Sequence, residues 1–171
     1  MTENITIQRL SSERIMHFIE LIRVFEDVFE MKNFVIPDED YLQQLLKNVD
    51  FHAFVALQDY QVIGGLTAYT LPAYYSKSPL IYIYDLAVKT EFQRRGVGKM
   101  LIQSINDYCK SIGVKEVFVQ ADMDDIDAID FYRSTGGKAE NVVHFTYLLN
   151  NKYFPVKLAE KKSVINHTHS V

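Results

Sequence analysis

The sequence predicts one mixed α/β domain, a sheet with helices on both of its faces. Three observations predict it. Strand-like and helix-like patterns follow one another in the order strand, two helices, three strands, helix, strand, helix, strand. At 171 residues and 48% hydrophobic composition, the chain has the material for one sizeable core. An apolar run at 80–88 enters a basic, glycine-punctuated turn that opens a helix at Val97.

Taken in order, Ile5, Ile7 and Leu10 mark a short first strand. Ser11 or Ser12 is expected to cap the next helix, whose Ile15, Phe18, Ile19, Ile22, Phe25 and Phe29 recur at helical spacing. Pro37 is expected to open a second helix, with Asp38, Glu39 and Asp40 complementing its N-terminal dipole and Tyr41, Leu42, Leu45 and Leu46 as its apolar side. Residues 51–57 and 62–71 read as an antiparallel pair joined by a tight turn at 58–61, and 72–79 as a loop. Residues 80–88 form the next strand. The helix from Val97 carries Leu101, Ile105 and Tyr108 and stops at Gly113. A strand at 116–121, a helix at 125–134 ended by Gly136 and Gly137, and an alternating last strand at 142–149 complete the domain. The domain is therefore assigned to residues 1–149, and the polar, basic residues 150–171 to a tail or appended arm.

Composition narrows the function. A formal net charge of −4 argues against a general nucleic-acid or membrane-surface binder. Cys109 is the one cysteine, so no intrachain disulfide forms, and a reducing cytoplasm is the expected compartment. The first residues lack the charged-then-apolar order of a signal peptide, and no apolar run approaches the ~20 residues of a membrane span.

The turn at 93–99 reads Gln93-Arg94-Arg95-Gly96-Val97-Gly98-Lys99. The first N–H groups of a helix lack intrahelical partners and sit at its positive end. Gly96 and Gly98 remove Cβ atoms that would keep an anion away, and Arg94, Arg95 and Lys99 add charge. This suits a pyrophosphate. The dinucleotide pattern G-x-G-x-x-G is absent, and the P-loop pattern fails at Gln93 and Met100.

What remains, Q-x-x-G-x-G after an L-A-V strand, resembles the acetyl-CoA loop of the GNAT N-acetyltransferases. The element order resembles that family over residues 5–149. The resemblance implies a mostly antiparallel central sheet in which one pair of strands splays apart. Longer runs resemble the aminoglycoside 3-N-acetyltransferases within it: L-P at 71–72, I-Y-I-Y-D-L-A-V at 81–88, V-Q-A-D at 119–122, V-H-F at 143–145 and D-Y-L at 40–42. There are departures. Asp124-Asp125-Ile126 stands where that family carries Gly-Asp-Asp, and Thr146 where it carries an acid. Both changes remove carboxylates suited to a cationic acceptor, so they bear on the substrate more than on the chemistry.

Acetyl transfer to an amine needs a neutral amine, a stabilised oxyanion and a hydrogen-bonded leaving thiolate. The resemblance assigns thioester and pantetheine contacts to the backbone of Leu86, Ala87 and Val88, in a strand that bulges. It assigns the acid to Tyr132, because Asp125-x-x-Ala128-x-x-Phe131-Tyr132 resembles the family's N-x-x-A-x-x-F-Y. Asp125 takes the place of an asparagine that contacts the pantetheine arm. A tyrosine near pKa ~10 stays protonated and donates.

Asp85 is the expected base, a charge in an apolar strand that alternation turns away from Tyr84 and Leu86. Asp122 and His144 are the alternatives. Asp85, Asp122, Asp124 and His144 are the expected acceptor-binding groups, within an acidic surface that also includes Asp38–Asp40, Asp125, Asp127 and Asp130. Solvated helix starts are the plainer account of those acids. Cys109, His17 and His52 read as structural. The spacing of His167 and His169 fits no zinc motif, and no metal is expected.

The expected function is acetyl-CoA-dependent N-acetylation of a small cationic amine, with an aminoglycoside first. The alternatives are a polyamine, a protein lysine, or a non-catalytic acetyl-CoA-binding module. No nucleic-acid or membrane partner is expected. The resemblance leaves a homodimer open.

Overall fold

A computed structural model of the chain describes residues 4–147 and 149. Five strands form one sheet in the order β1-β2-β3-β4-β5: β1 Thr6–Arg9, β2 Phe51–Gln58, β3 Gln61–Leu71, β4 Leu80–Val88 and β5 Glu116–Val119. The first four are antiparallel neighbours, and β5 runs parallel to β4. The β2–β3 turn places Asp59 and Tyr60 at φ 49° and 67°, the left-handed pair that a two-residue hairpin requires.

Helices α1 Ile15–Val28 and α2 Glu39–Lys47 cover one face, and α3 Val97–Ser111 covers the other. Phe18, Leu21, Val24 and Phe25 of α1 are buried at helical spacing against Ala53, Val55, Val62 and Ala87. On the opposite face Val97, Leu101, Ile102, Ile105 and Cys109 of α3 pack on Phe54, Ile63, Leu66, Ile81 and Ile83. Each such fully buried side chain contributes about 1.5–3 kcal/mol relative to exposure. Helix α4 Ile126–Ser134 lies at the edge of this second core through Phe131 and Tyr132. No helix of the described residues is long and apolar enough to cross a membrane.

Three local expectations are corrected. Neither Ser11 nor Ser12 caps α1. The helix begins at Ile15, too far for a serine side chain to reach its first N–H groups, and the Ser11 carbonyl instead accepts from the Arg14 N–H at 2.9 Å. Pro37 does not open α2. Asp38 is the N-cap, its carboxylate accepting from the Tyr41 N–H at 2.9 Å. The expected strand at 142–149 is absent among the described residues 142–147 and 149, which are exposed and join no sheet. Alternation supplies a strand's faces but not its hydrogen-bond partner. Residues 150–171 lie outside the described residues.

Candidate active site

The site begins with an irregularity in β4. Thr67 of β3 pairs with Asp85, but its neighbour Ala68 pairs with Ile83, so Tyr84 is an extra residue in β4. The bulge changes the faces. Ile81, Ile83, Leu86 and Val88 point to the α3 core, while Ala87 joins the α1 core. Asp85 is opposite Thr67, two residues from Tyr69, and so shares the α1 side with Tyr69 and its partner Tyr82. The ring of Tyr84 also lies against both, at 5.8 Å from each. The alternation that was to turn Asp85 away from Tyr84 is therefore broken by the bulge.

The same strand then loses a neighbour. The β4–β5 pairing covers Leu80–Ile83 against Glu116–Val119 and goes no further. From Tyr84 onward the β5-facing edge of β4 has no strand partner among the described residues. The backbone of Asp85–Val88 therefore borders a gap, while the side chains of Ala87 and Val88 are buried. Backbone groups in such a gap can bond to a ligand instead of a strand.

At the end of β4 the chain makes a 3₁₀ turn, Thr90–Phe92, and reaches α3 through Gln93–Gly96. Gln93 reaches back, its side-chain amide donating to the Val88 carbonyl at 3.0 Å. Arg94 and Gly96 both take positive φ, 59° and 86°. Gly96 is the N-cap of α3, and no side chain caps the N–H groups beyond it. A Cβ at Gly96 would meet nothing within 4 Å, so this glycine serves the left-handed backbone and an open approach. Gly98 serves a different purpose from the one expected. A Cβ there would lie 2.9 Å from the Phe131 ring, so Gly98 lets α4 close on α3. Arg94, Arg95 and Lys99 are exposed around this helix start. The Arg94–Asp127 pair at 3.5 Å is solvated and contributes little to stability.

Helix α4 brings Tyr132 to the gap. Burial first, then the charges of Asp125 and Asp85 and the Tyr82 hydroxyl, push the Tyr132 hydroxyl up to about 12. It is a proton donor at any physiological pH. Asp125 is committed to α4, its carboxylate capping the helix by accepting from the Ala128 N–H at 3.0 Å. Asp122 and Asp124 lie exposed in the β5–α4 connection, where the Asp122 carbonyl accepts from the Asp125 N–H. His144 is exposed in the irregular segment after α4. Asp85 and Tyr132 are thus joined electrostatically across the gap.

Two features escaped the sequence reading. One is an aromatic row in which Phe51, Tyr69, Tyr84, Tyr82 and Phe118 succeed one another at 5.2, 5.8, 5.8 and 4.9 Å. The tyrosines at 82 and 84 were a signal, but Tyr69 joins them only through the sheet register. The other is a part-buried network around the buried His52. Arginine has donors only, so Arg9 donates to His52 Nδ1 at 3.2 Å, and Nε2–H donates to the Thr70 hydroxyl at 2.8 Å. The Arg9 guanidinium also lies 4.3 Å from the Tyr108 ring centre. Both His52 and Cys109 are buried structural side chains. Among the described residues no cluster of three or more His, Cys, Asp or Glu could hold a metal. A shallow depression of about 540 Å³ on the outer flank of α3 contains Lys99 but neither Asp85 nor Tyr132.

A model described as the acetyltransferase (GNAT) family matches residues 18–136. No curated protein matches the chain. Among solved structures, the chain is similar to the aminoglycoside acetyltransferase meta-AAC0020 from an uncultured soil metagenomic sample. In its complex with trehalose the identity is 54% and the TM-score 0.84, over 85% of this chain and 97% of that one. The same protein is solved with sisomicin, at 53% identity and the same coverage and TM-score. Another aminoglycoside acetyltransferase, HMB0005, also from an uncultured soil metagenomic sample, is 32% identical with a TM-score of 0.81, over 86% of this chain and 99% of that one. The aminoglycoside N-acetyltransferase AAC(6')-Iy in complex with CoA has the same fold at 18% identity and a TM-score of 0.71, over 88% of this chain and 98% of that one.

Proposed function

Because the chain belongs to the GNAT acetyltransferase family, we propose that it transfers the acetyl group of acetyl-CoA to an amine of an aminoglycoside, at the 3-amino position. The observation that supports the chemistry is the parting of β4 from β5 after Ile83, which leaves an open strand edge beside Asp85, whose charge also acts on the Tyr132 hydroxyl. The acceptor class is supported by a protein 54% identical to this chain that is an aminoglycoside acetyltransferase and is solved with sisomicin at 53% identity. The run I-Y-I-Y-D-L-A-V supports the regiochemistry through its resemblance to the 3-N family.

The α3 N-terminus fits a CoA pyrophosphate. Its first N–H groups have no side-chain cap, Gly96 leaves the approach open, and Arg94, Arg95 and Lys99 surround it. Gln93 holds the loop to Val88, Val97 starts the helix, and Gly98 admits Phe131. Bound there, acetyl-CoA supplies an acyl group activated as a thioester. The open backbone from Leu86 to Val88 donates to oxygen as charge develops on it.

Asp85 attracts the acceptor ammonium and takes its proton, directly or through one water, leaving the nitrogen lone pair free to form the new N–C bond. Tyr132 donates a hydrogen bond to the departing sulfur. Full transfer of the phenol proton to a thiolate of ordinary pKa ~8.5 would run uphill by roughly 3–4 units. Tyr132 therefore stabilises the leaving sulfur mainly as a donor, and the proton from the amine leaves through Asp85 to water. Asp122 and Asp124 extend the negative surface toward the acceptor's other ammonium groups. Exposed His144 and the Asp125 cap are accessory in this scheme.

The test is thiol release from acetyl-CoA with kanamycin- and gentamicin-type aminoglycosides, spermidine and a lysine peptide, with the acetylated nitrogen located by NMR. Turnover of the aminoglycosides with acetylation at the 3-amino group is expected. Acetylation at another amine would overturn the regiochemistry, and activity confined to the lysine peptide would overturn the acceptor class.

A further inference from the structure

The aromatic row passes the open edge of β4 at Tyr84, its middle member. Tyr69 leans on Phe51 and is half-buried; Tyr82 stacks flat on Phe118 at 4.9 Å and 16°. The hydroxyl of Tyr82 donates to the Gln120 side-chain oxygen at 3.0 Å. Tyr84, the residue inserted by the bulge, sits between Tyr69 and Tyr82 with its ring at 80–82° to both and is 50% exposed. Asp85 follows it directly. The packing of Tyr84 by two fixed neighbours makes a rigid, upright wall. Such a wall has an apolar face and a polar rim, beside a carboxylate and beside the open edge of β4.

We propose that Tyr84, braced by Tyr69 and Tyr82, is the specificity-determining wall of the acceptor subsite, and that it selects an amino-substituted six-membered polyol ring over a linear polyamine. This inference rests on the aminoglycoside reading above and deepens it. The C–H face of a cyclohexane or pyranose ring is flat and apolar, and it packs on an aromatic ring as another ring would. An ammonium on that ring also gains from the face of a tyrosine. Tyrosine supplies this contact area at low conformational cost, having two side-chain torsions. A flexible linear polyamine presents neither a flat face nor a fixed amine and gains less from the wall. Burial first, then the neighbouring Tyr84 and the charge of Asp85, raises the pKa values of Tyr69 and Tyr82, so both hydroxyls stay protonated; Tyr69 can donate to the polyol rim, while Tyr82, donating to Gln120, offers it lone pairs.

The experiment compares wild type with Tyr84→Phe, Tyr84→Leu and Tyr84→Ala in steady-state kinetics with a gentamicin-type aminoglycoside and with spermidine. Thermal melts accompany the kinetics. The aminoglycoside KM is expected to rise about tenfold in Tyr84→Ala and Tyr84→Leu. The KM for acetyl-CoA should hold within about twofold, and Tyr84→Phe should restore most of the loss. The spermidine KM, or its inhibition constant if it is not acetylated, should hold within about twofold in every variant. A folded Tyr84→Leu with an unchanged aminoglycoside KM would overturn the inference while leaving the aminoglycoside reading intact. An equal loss for spermidine would overturn the ring selectivity. A wild type that acetylates no aminoglycoside would overturn both.

Discussion

At the scale of the residue, the groups proposed to react are ordinary side chains made unusual by where the backbone puts them. Tyr132 is the clearest case, since burial and two carboxylates keep its proton in place, with the hydroxyl raised to about 12. The substitution Tyr132→Phe deletes the donor and keeps the ring that packs against the α3 core. A fall in kcat of ~10²–10⁴ is expected with acetyl-CoA affinity retained, read by single-turnover kinetics and calorimetry. As candidates these residues were legible: a carboxylate stood out in the apolar run 81–88, and the F-Y pair stood out in its helix. Their orientation was less so. Nothing in I-Y-I-Y-D-L-A-V marks Tyr84 as supernumerary, because Ile81 to Tyr84 alternate without a break. The bulge is defined only by the register against β3.

At the scale of the element, the start of α3 does two tasks with two glycines in very different surroundings. Gly96 faces open space in the left-handed region, and Gly98 faces Phe131. In Gly96→Val a β-branched residue must adopt φ near 86°, where an L-residue is strained by roughly 1–2 kcal/mol, and its side chain fills the approach to the helix start. Calorimetry should find acetyl-CoA affinity lowered at least about tenfold, since an ionic hydrogen bond is worth ~1.5–3 kcal/mol. Helices α1 and α3 were readable because their cores recur every three or four residues along the chain. The limits of β4 were readable because an apolar run ends in a basic turn. The start of α2 was misplaced by two residues because Pro37 and Asp38 are both good start signals, and the hydrogen bond to Tyr41 decides between them. The alternating run at 142–149 illustrates the opposite limit, for a strand is a relation between two segments and one segment cannot declare it.

At the scale of the whole molecule, the sheet separates two tasks. Its α3 side carries the proposed anion site and the part-buried Arg9–His52–Thr70 network, and its α1 side carries Asp85 and the tyrosines. The network sets an acid limit on stability. Burial first, then Arg9, lowers His52 from 6.5 to about 4, with Asp50 opposing. Between those values the unfolded chain binds the proton and the folded chain does not. Stability is therefore full above pH 6.5 and falls as pH drops toward 4, by up to about 3 kcal/mol. Thermal melts from pH 7 to 4 should follow that slope, and His52→Gln should flatten it. The separation of tasks also predicts that acceptor chemistry can be removed without touching cofactor binding. The most direct test is the kcat/KM of Asp85→Asn for an aminoglycoside, with acetyl-CoA affinity measured on the same preparation. A fall of ~10²–10⁴ at unchanged acetyl-CoA affinity is the expected result. Wild-type turnover, or a parallel loss of acetyl-CoA binding, would contradict the placement of acetyl transfer in the gap between β4 and β5.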